Sequence, residues 1–290
     1  MNRRSFLSTL VVAPVFVALT ACSGSDSKTN PTSPPPSDVS TPAAPSTGGI
    51  GHPTGANDVV MKLSYEGGFV PADTAFINTP ALLVSGDGKV YTPGVDPAIS
   101  PGPLLPNIVV RTITEDGIQR LLGIVEHAGL MTDLPDYSGG KGVADAPNTI
   151  LTIHAANGSF VHSAYALGAD TPESRARQTL LDTVNAIADL EKATGSDNLG
   201  ENQPYVPTVY RLRATVADPS VLTQTNPAPS VVDWPSGAAA PLTGATTCAR
   251  LDAAVIGSLF TDATQNTYFK DSGVVYKVAV AGVLPGDPDC

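Results

Sequence analysis

The chain has 290 residues, with 16 Lys and Arg against 27 Asp and Glu, for a formal charge of −11. An acidic chain with no basic stripe repels polyanions, so nucleic acid is excluded as an expected partner, and so is binding to anionic lipid heads through surface charge. Acidity alone points to no ligand.

The N-terminus reads Met1-Asn2-Arg3-Arg4-Ser5-Phe6-Leu7, followed by an apolar run from Leu10 to Leu19. That run is shorter than the roughly 20 residues needed to span a bilayer and has the shape of a secretory signal. Leu19-Thr20-Ala21-Cys22 resembles the bacterial lipobox. The resemblance implies cleavage before Cys22 and a diacylglyceryl group on its sulfur. Arg3-Arg4-Ser5-Phe6-Leu7 resembles the twin-arginine export motif; the competing reading is a generic basic start, which leaves the export route open. On this basis residues 1–21 are a signal peptide. The mature protein is expected on the extracytoplasmic face of the cell membrane, held by acyl chains at about 0.8 kcal/mol per buried CH₂. Removing residues 1–21 takes two arginines and no acid from a chain of −11, which leaves −13.

Residues 22–57 are rich in Ser, Thr, Pro and Gly, with Pro34-Pro35-Pro36 favouring an extended form. They carry too little apolar surface to offset ordering entropy and predict a lipidated, disordered tether, with His52 solvated. Residues 58–290 predict a single domain, or two closely packed halves at 58–195 and 204–290.

Along the folded part, Asp58–Tyr65 predicts a strand. Ala81–Ser85 and Lys89–Tyr91 flank Gly86-Asp87-Gly88 as a hairpin, and Ile108–Ile113 predicts another strand. Thr114-Glu115-Asp116 opens a helix with Ile118, Leu121, Leu122 and Val125 on one face, His127 on the solvent side and Gly129 as its stop. The loop 132–147 contains Ser138-Gly139-Gly140-Lys141-Gly142, which lacks the spacing of a phosphate loop. Asn148–Ala155 and Ser159–Leu167 flank Asn157-Gly158 as a hairpin carrying His154 and His162. A two-residue turn puts these histidines on opposite faces and a three-residue loop puts them on one. They are the weak candidates for a metal pair, with no third ligand nearby in sequence, and neither a metal nor any other cofactor is expected.

Thr171-Pro172-Glu173 opens a long helix with Leu180, Leu181, Val184, Ile187 and Ala188 as its stripe and Gly195 as its end. The polar loop 196–203 lacks the calcium-loop spacing. Val206–Val216 alternates as a strand, Leu251, Val255 and Leu259 mark a third helix with Cys248 at its start, and Tyr268–Val280 closes as a hairpin around Asp271-Ser272-Gly273. Strands arriving by hairpins with about three helices between them predict α+β, a largely antiparallel sheet with the helices on one face.

Cys248 and Cys290 form an even pair in an oxidising compartment and predict a disulfide, with free thiols or half a metal site as the competing readings. No nucleophile elbow, zinc-protease helix or dinucleotide fingerprint occurs. The lipobox, the Ala-rich and Lys-poor composition, Trp234-Pro235, the Cys248 and Cys290 pair and the Leu-Pro-Gly ending together resemble uncharacterised secreted lipoproteins of actinobacteria, a resemblance that implies no catalytic residue. The expected function is a non-enzymatic binding or envelope-support lipoprotein that meets the membrane through its N-terminal lipid and an envelope protein, glycan or lipid through its domain. A lipid or glycolipid carrier and a hydrolase of envelope polymers, the latter resting on the acidic loops, are the alternatives.

Overall fold

The computed structural model describes residues 48–290 except 133, 134, 171, 225, 238 and 239. The expected signal peptide with Arg3 and Arg4, and the expected lipidation site Cys22, lie outside the described residues. In chain order the elements are β1 (Val59–Gly67), α1 (Ala72–Phe76), β2 (Leu82–Ser85), β3 (Lys89–Pro93), β4 (Ile108–Thr112), α2 (Glu115–His127), β5 (Pro147–Ala155), β6 (Gly158–Tyr165), α3 (Arg175–Ala188), α4 (Leu190–Thr194), β7 (Gln203–Pro204), β8 (Val209–Val216), α5 (Pro219–Gln224), β9 (Ser230–Asp233), β10 (Ala249–Asp252), α6 (Ala253–Ile256), β11 (Thr267–Asp271) and β12 (Val274–Gly282).

The fold is α+β. A seven-stranded sheet in the order β6-β5-β1-β2-β3-β4-β7 is antiparallel throughout. A five-stranded sheet in the order β10-β8-β12-β11-β9 is antiparallel except where β9 runs parallel to β11. No described helix is long and apolar enough to cross a membrane.

Period-two alternation assigns the faces of the first sheet. Met61 and Leu63 of β1, Leu82 and Val84 of β2 and Leu151 and Ile153 of β5 pack under α2 and α3 through Ile118, Leu121, Leu122, Val125, Leu180, Val184 and Ile187. Lys62, Ser64 and Glu66 therefore point away from the helices. β2 is buried on both faces, because Leu83 joins Tyr91, Ile108 and Leu284 of the C-terminal tail in a second apolar cluster. The second sheet has its own core, in which Tyr210, Leu212, Trp234, Phe260 and Phe269 pack together, with edge-on ring contacts at 5.2–5.9 Å between Tyr210 and Phe260, Trp234 and Phe269, and Phe260 and Phe269.

Helix ends follow their local chemistry. Thr114 Oγ1 accepts from Gly117 N and starts α2, and Gly129 at φ +73 stops it, with Leu130 N donating to Val125 O. Two expected helices depart from the sequence reading. The helix expected to run to Gly195 breaks at Asp189, whose side chain turns from continuing α3 to capping Lys192 N at the start of α4, and Ala188 is exposed rather than part of the stripe. The third expected helix shrinks to the single turn of α6. Leu251 lies in β10 opposite Tyr210, Asp252 caps Ala254 N, and Gly257 at φ +57 ends the turn. Cys248 thus precedes a strand, not a helix.

Residues 48–57, expected to belong to the tether, are instead laid on the domain. Ile50 packs against the first core and its backbone exchanges two hydrogen bonds with the Gln119 side chain, at 2.7 and 2.9 Å. Gly51 O accepts from Ala156 N at 2.7 Å. His52, expected to be solvated, has a side chain only 5% exposed with Nε2 3.1 Å from Glu115 Oε1. Backbone pairing supplies here what a Gly- and Pro-rich segment lacks in apolar surface.

Cys248 and Cys290 form a disulfide with Cα atoms 5.1 Å apart, within the normal range for such a bond.

Candidate functional site

The β5–β6 turn settles the histidine question with a register between neither of the two expected. Ala155 pairs with Gly158 across Ala156-Asn157, so His154 lies opposite Ser159 and His162 opposite Leu151. The histidines face opposite sides of the sheet and share no site. His154 Nδ1 is 2.7 Å from Ser159 Oγ on the open face. His162 is fully buried, with Nε2 2.7 Å from Leu130 O and Nδ1 2.7 Å from the Tyr137 hydroxyl. Burial pushes the imidazole pKa down against the opposing effect of the Leu130 carbonyl. The neutral ring therefore donates from Nε2 and accepts from Tyr137, whose own pKa burial pushes up to about 12. This is a satisfied core histidine that ties Leu130 and Tyr137 to β6. His127 is exposed, as its helical position predicts, with Nδ1 2.6 Å from Gly123 O.

In the two acidic loops, Asp136 and Asn198 are engaged in local structure. Asp136 accepts from Ser138 N and Oγ, and those bonds hold its carboxyl below the usual range. In the loop 196–203, Asn198 O accepts from Thr114 N and Asn198 Nδ2 donates to Thr194 O, which splices α2 to α4. Among the described residues no three His, Cys, Asp or Glu side chains gather in a way that could hold a metal ion.

A group of charged residues with incomplete hydrogen bonding lines a cleft between the two sheets. β8 alternates Tyr210, Leu212 and Ala214 into the second core, so Arg211 and Arg213 point to the other side, toward α1. Both guanidinium carbons stand over the Phe76 ring, 5.3 and 5.2 Å from its centroid. Arg213 is committed, with Nη2 2.8 Å from Asp73 Oδ1. Arg211 is held more loosely. Its guanidinium makes no hydrogen bond to any described residue, its buried Nε included, and it forms a long ion pair with Asp287 Oδ2, 3.7 Å from Nε. Asp287 Oδ2 is occupied by Leu284 N at 2.9 Å.

Arg211 lines a cleft of about 360 Å³ together with Lys62, Ser64, Tyr65, Glu66, Asn78 and Asp287. The open face of β1 supplies Lys62, Ser64 and Glu66. The segment after β1 is folded back by Asn78 Nδ2 donating to Tyr65 O at 2.8 Å. Ser64 Oγ donates to Glu66 Oε1 at 2.8 Å, which engages one carboxylate, whereas the Lys62 ammonium has neither an ion-pair nor a hydrogen-bond partner among the described residues. The cleft thus presents Lys62, with no partner among the described residues, and Arg211, with a long ion pair to Asp287, beside two acids that each have one oxygen already bonded. Tyr65 and Val70, 45% and 46% exposed, give it an apolar wall. A second cleft of about 440 Å³ beside β9 has Asp262 as its charged lining residue and Val232, Pro235, Ile256 and Leu259 as its walls, and it holds no comparable open donor.

Nothing in the sequence singled out Arg211. Its signal is the alternation of β8, Tyr210-Arg211-Leu212-Arg213-Ala214, with arginines where a one-sided strand would carry neutral polar residues; that the far face is half covered by α1 and the C-terminal tail is visible only in the fold. No protein-family model matches the sequence, and no curated protein and no solved structure is significantly similar to the chain.

Proposed function

We propose that this is a lipid-anchored binding protein of the extracytoplasmic membrane face, whose cleft between the two sheets holds an anionic group, carboxylate or phosphate ester, of an envelope ligand. The observation that carries the reading is Arg211, a mostly buried side chain above a phenyl ring whose Nε–H has no hydrogen-bond acceptor and whose ion pair to Asp287 is a long 3.7 Å. A buried donor without a partner costs about 1–3 kcal/mol, and a planar oxyanion is the group that satisfies a guanidinium fork with two parallel bonds. Lys62 adds a point charge at the same cleft, and Tyr65 and Val70 offer apolar contact to the body of the ligand. Carriage of acyl chains needs an apolar chamber, whereas Leu63, Leu121, Leu122, Leu151, Leu180 and Ile187 fill the helix–sheet interface, each no more than 1% exposed.

The binding half of this reading is tested with the exported protein, titrated with acetate and with inorganic phosphate at constant chloride while the Arg211 Nε–H resonance is followed. A saturable shift is expected, abolished in Arg211→Gln and weakened several-fold in Lys62→Gln. Titration curves that are linear, or unchanged in Arg211→Gln, would sink the assignment. The two anions separate the sources, since a preference for acetate indicates carboxylate ligands and a preference for phosphate indicates phosphate esters. The anchoring half predicts that Cys22→Ala moves the protein from the membrane fraction to the soluble fraction. Retention on the membrane would remove the lipid from the reading.

A further inference from the structure

The cleft around Arg211 holds as many acids as cations. Lys62 and Arg211 line it together with Glu66 and Asp287, and its other lining residues are neutral. A pocket that takes a bare anion gains by excluding carboxylates, because a like charge beside the bound oxyanion opposes it. Here two carboxylates are built in. Nor are they there to neutralise the cations by direct bonding. None of the four charged groups donates a hydrogen bond to another, and the one ion pair among them is the 3.7 Å approach of Arg211 Nε to Asp287 Oδ2.

Each acid is held by a neighbour through one oxygen. Ser64 Oγ donates to Glu66 Oε1 at 2.8 Å, and Leu284 N donates to Asp287 Oδ2 at 2.9 Å. The second oxygens, Glu66 Oε2 and Asp287 Oδ1, accept from no described residue. These bonds also set position. Lys62 and Glu66 stand on one face of β1, about 13 Å apart at four residues of strand rise. The Ser64 bond draws the Glu66 carboxylate back along the strand toward Lys62. The Leu284 bond holds the Asp287 carboxylate beside Arg211. The cleft therefore offers fixed groups of both signs, and both keep hydrogen-bonding capacity to spare.

Given the anion-binding reading of this cleft, on which the inference rests, we propose that its ligand is a zwitterion, an oxyanion and an ammonium joined by a short chain. Arg211 and Lys62 take the oxyanion, and Glu66 Oε2 and Asp287 Oδ1 take the ammonium, whose three N–H groups need acceptors. The carboxylates then bind the neighbour of the oxyanion instead of only opposing it. Net charge acts in the same direction. A chain of −11 repels a bare anion on approach and leaves a neutral zwitterion unopposed. Two kinds of molecule carry this chemistry: an aminocarboxylate, and the aminoalkyl phosphodiester of a lipid or polymer headgroup.

The test compares each zwitterion with an anion of the same kind that lacks the ammonium. β-Alanine is set against propionate, and glycerophosphoethanolamine against dimethyl phosphate, each titrated into the protein at constant ionic strength while the Arg211 Nε–H resonance is followed. In at least one pair the zwitterion is expected to bind about ten-fold more tightly, the effect of one added charge-assisted hydrogen bond. A preference within the first pair marks carboxylate ligands, and one within the second marks phosphate esters. Glu66→Gln and Asp287→Asn keep the bonds from Ser64 Oγ and Leu284 N, since an amide oxygen accepts both. Each is expected to shrink the preference, and the double variant to bring it close to one, with the bare anion bound more tightly than in wild type. Should Asp287→Asn loosen the tail, Glu66→Gln decides, because Glu66 is exposed. Bare anions that saturate as tightly as both zwitterions, or a preference unchanged in Glu66→Gln, would overturn the zwitterion and leave the anion reading standing. No saturable shift with any of the ligands would overturn both.

Discussion

Arg177→Met is expected to destabilise the protein by about 3–5 kcal/mol, the range for removing one member of a buried ion pair. Arg177 is 1% exposed, and its partner Glu173 has a side chain 3% exposed. The arginine is saturated. Nε donates to Glu173 Oε2, with Asp170 Oδ2 at 3.5 Å; Nη1 donates to the carbonyls of Tyr137 and Tyr165 at 3.1 and 3.0 Å; and Nη2 donates to Ala166 O at 2.9 Å and Glu173 Oε1 at 3.1 Å. The carboxylate beside it holds the arginine pKa above its usual value, and the arginine holds the Glu173 pKa below its own. Methionine fills much of the volume but leaves a buried carboxylate with only the Gly168 and Asp170 backbone N–H groups as donors, the first at 2.6 Å, and takes from the Tyr137 and Tyr165 carbonyls their donor and from the Ala166 carbonyl one of two, Ala169 N remaining at 3.1 Å. Arg177→Lys is expected to fall between, since an ammonium has too few donors to reach every acceptor. Urea unfolding of wild type, Arg177→Met, Glu173→Gln and the double variant measures the coupling directly. The double variant should lose less than the two single losses combined, because neutralising Glu173 removes the unpaired charge. A loss below about 1 kcal/mol for Arg177→Met would contradict the account.

That arginine also marks the limit of what the sequence discloses. The apolar stripes that build the first core, Ile118 through Val125 and Leu180 through Ile187, are legible because a 3.6-residue period is a local property. The hairpins around Asp87 and Ser272 are legible for the same reason: Gly88, Ser272 and Gly273 have φ between +50 and +84, the backbone that Gly-rich turns permit. Arg177 stands three residues before Leu180 on that same stripe, with Glu173 one turn earlier. An i, i+4 acid–base pair on an apolar face was the available sign of a buried ion pair. What it holds is not local. Gly139, Gly140 and Asp170 come from two loops, Gly140 N donates to Asp170 Oδ2 at 2.7 Å, and a Cβ on Gly139 would stand 2.6 Å from Arg177 Nε. The glycine-rich run Ser138–Gly142, plain as sequence, is thus shaped for close approach to a guanidinium of its own chain. The cleft around Arg211 was hidden for a different reason. It arises where the open face of β1 meets the far face of β8, strands some 150 residues apart, and no periodicity reports on which two faces meet.

Cys290→Ser is expected to cost about 2–4 kcal/mol. The bond closes a loop with a sequence separation of 42, for which the chain-entropy model gives about 4 kcal/mol before native-state strain is counted. The tail does not depend on the bond for all of its order. Val283 N donates to Val209 O at 2.9 Å, Tyr205 Oη donates to Val283 O, Leu284 is buried against Leu83, Tyr91 and Ile108, and Asp287 caps Leu284 N. Beyond that point the contacts thin to the Arg250–Asp289 ion pair at a largely exposed site, which contributes little. The disulfide joins this last stretch to the start of β10, an edge strand paired on one side alone, with β8. Two consequences separate its two actions. The entropy it removes from the unfolded chain appears in the stability of the whole second sheet, so urea midpoints should fall for Cys290→Ser and Cys248→Ser alike, and no further for the double variant. The restraint it places on the native chain is local, so amide protection in Cys290→Ser should fall first in β10 and residues 286–290, while β1, β2 and β5 keep theirs until global unfolding. Titration of two thiols in the unreduced protein, or a midpoint that shifts in only one of the single variants, would refute the covalent pin.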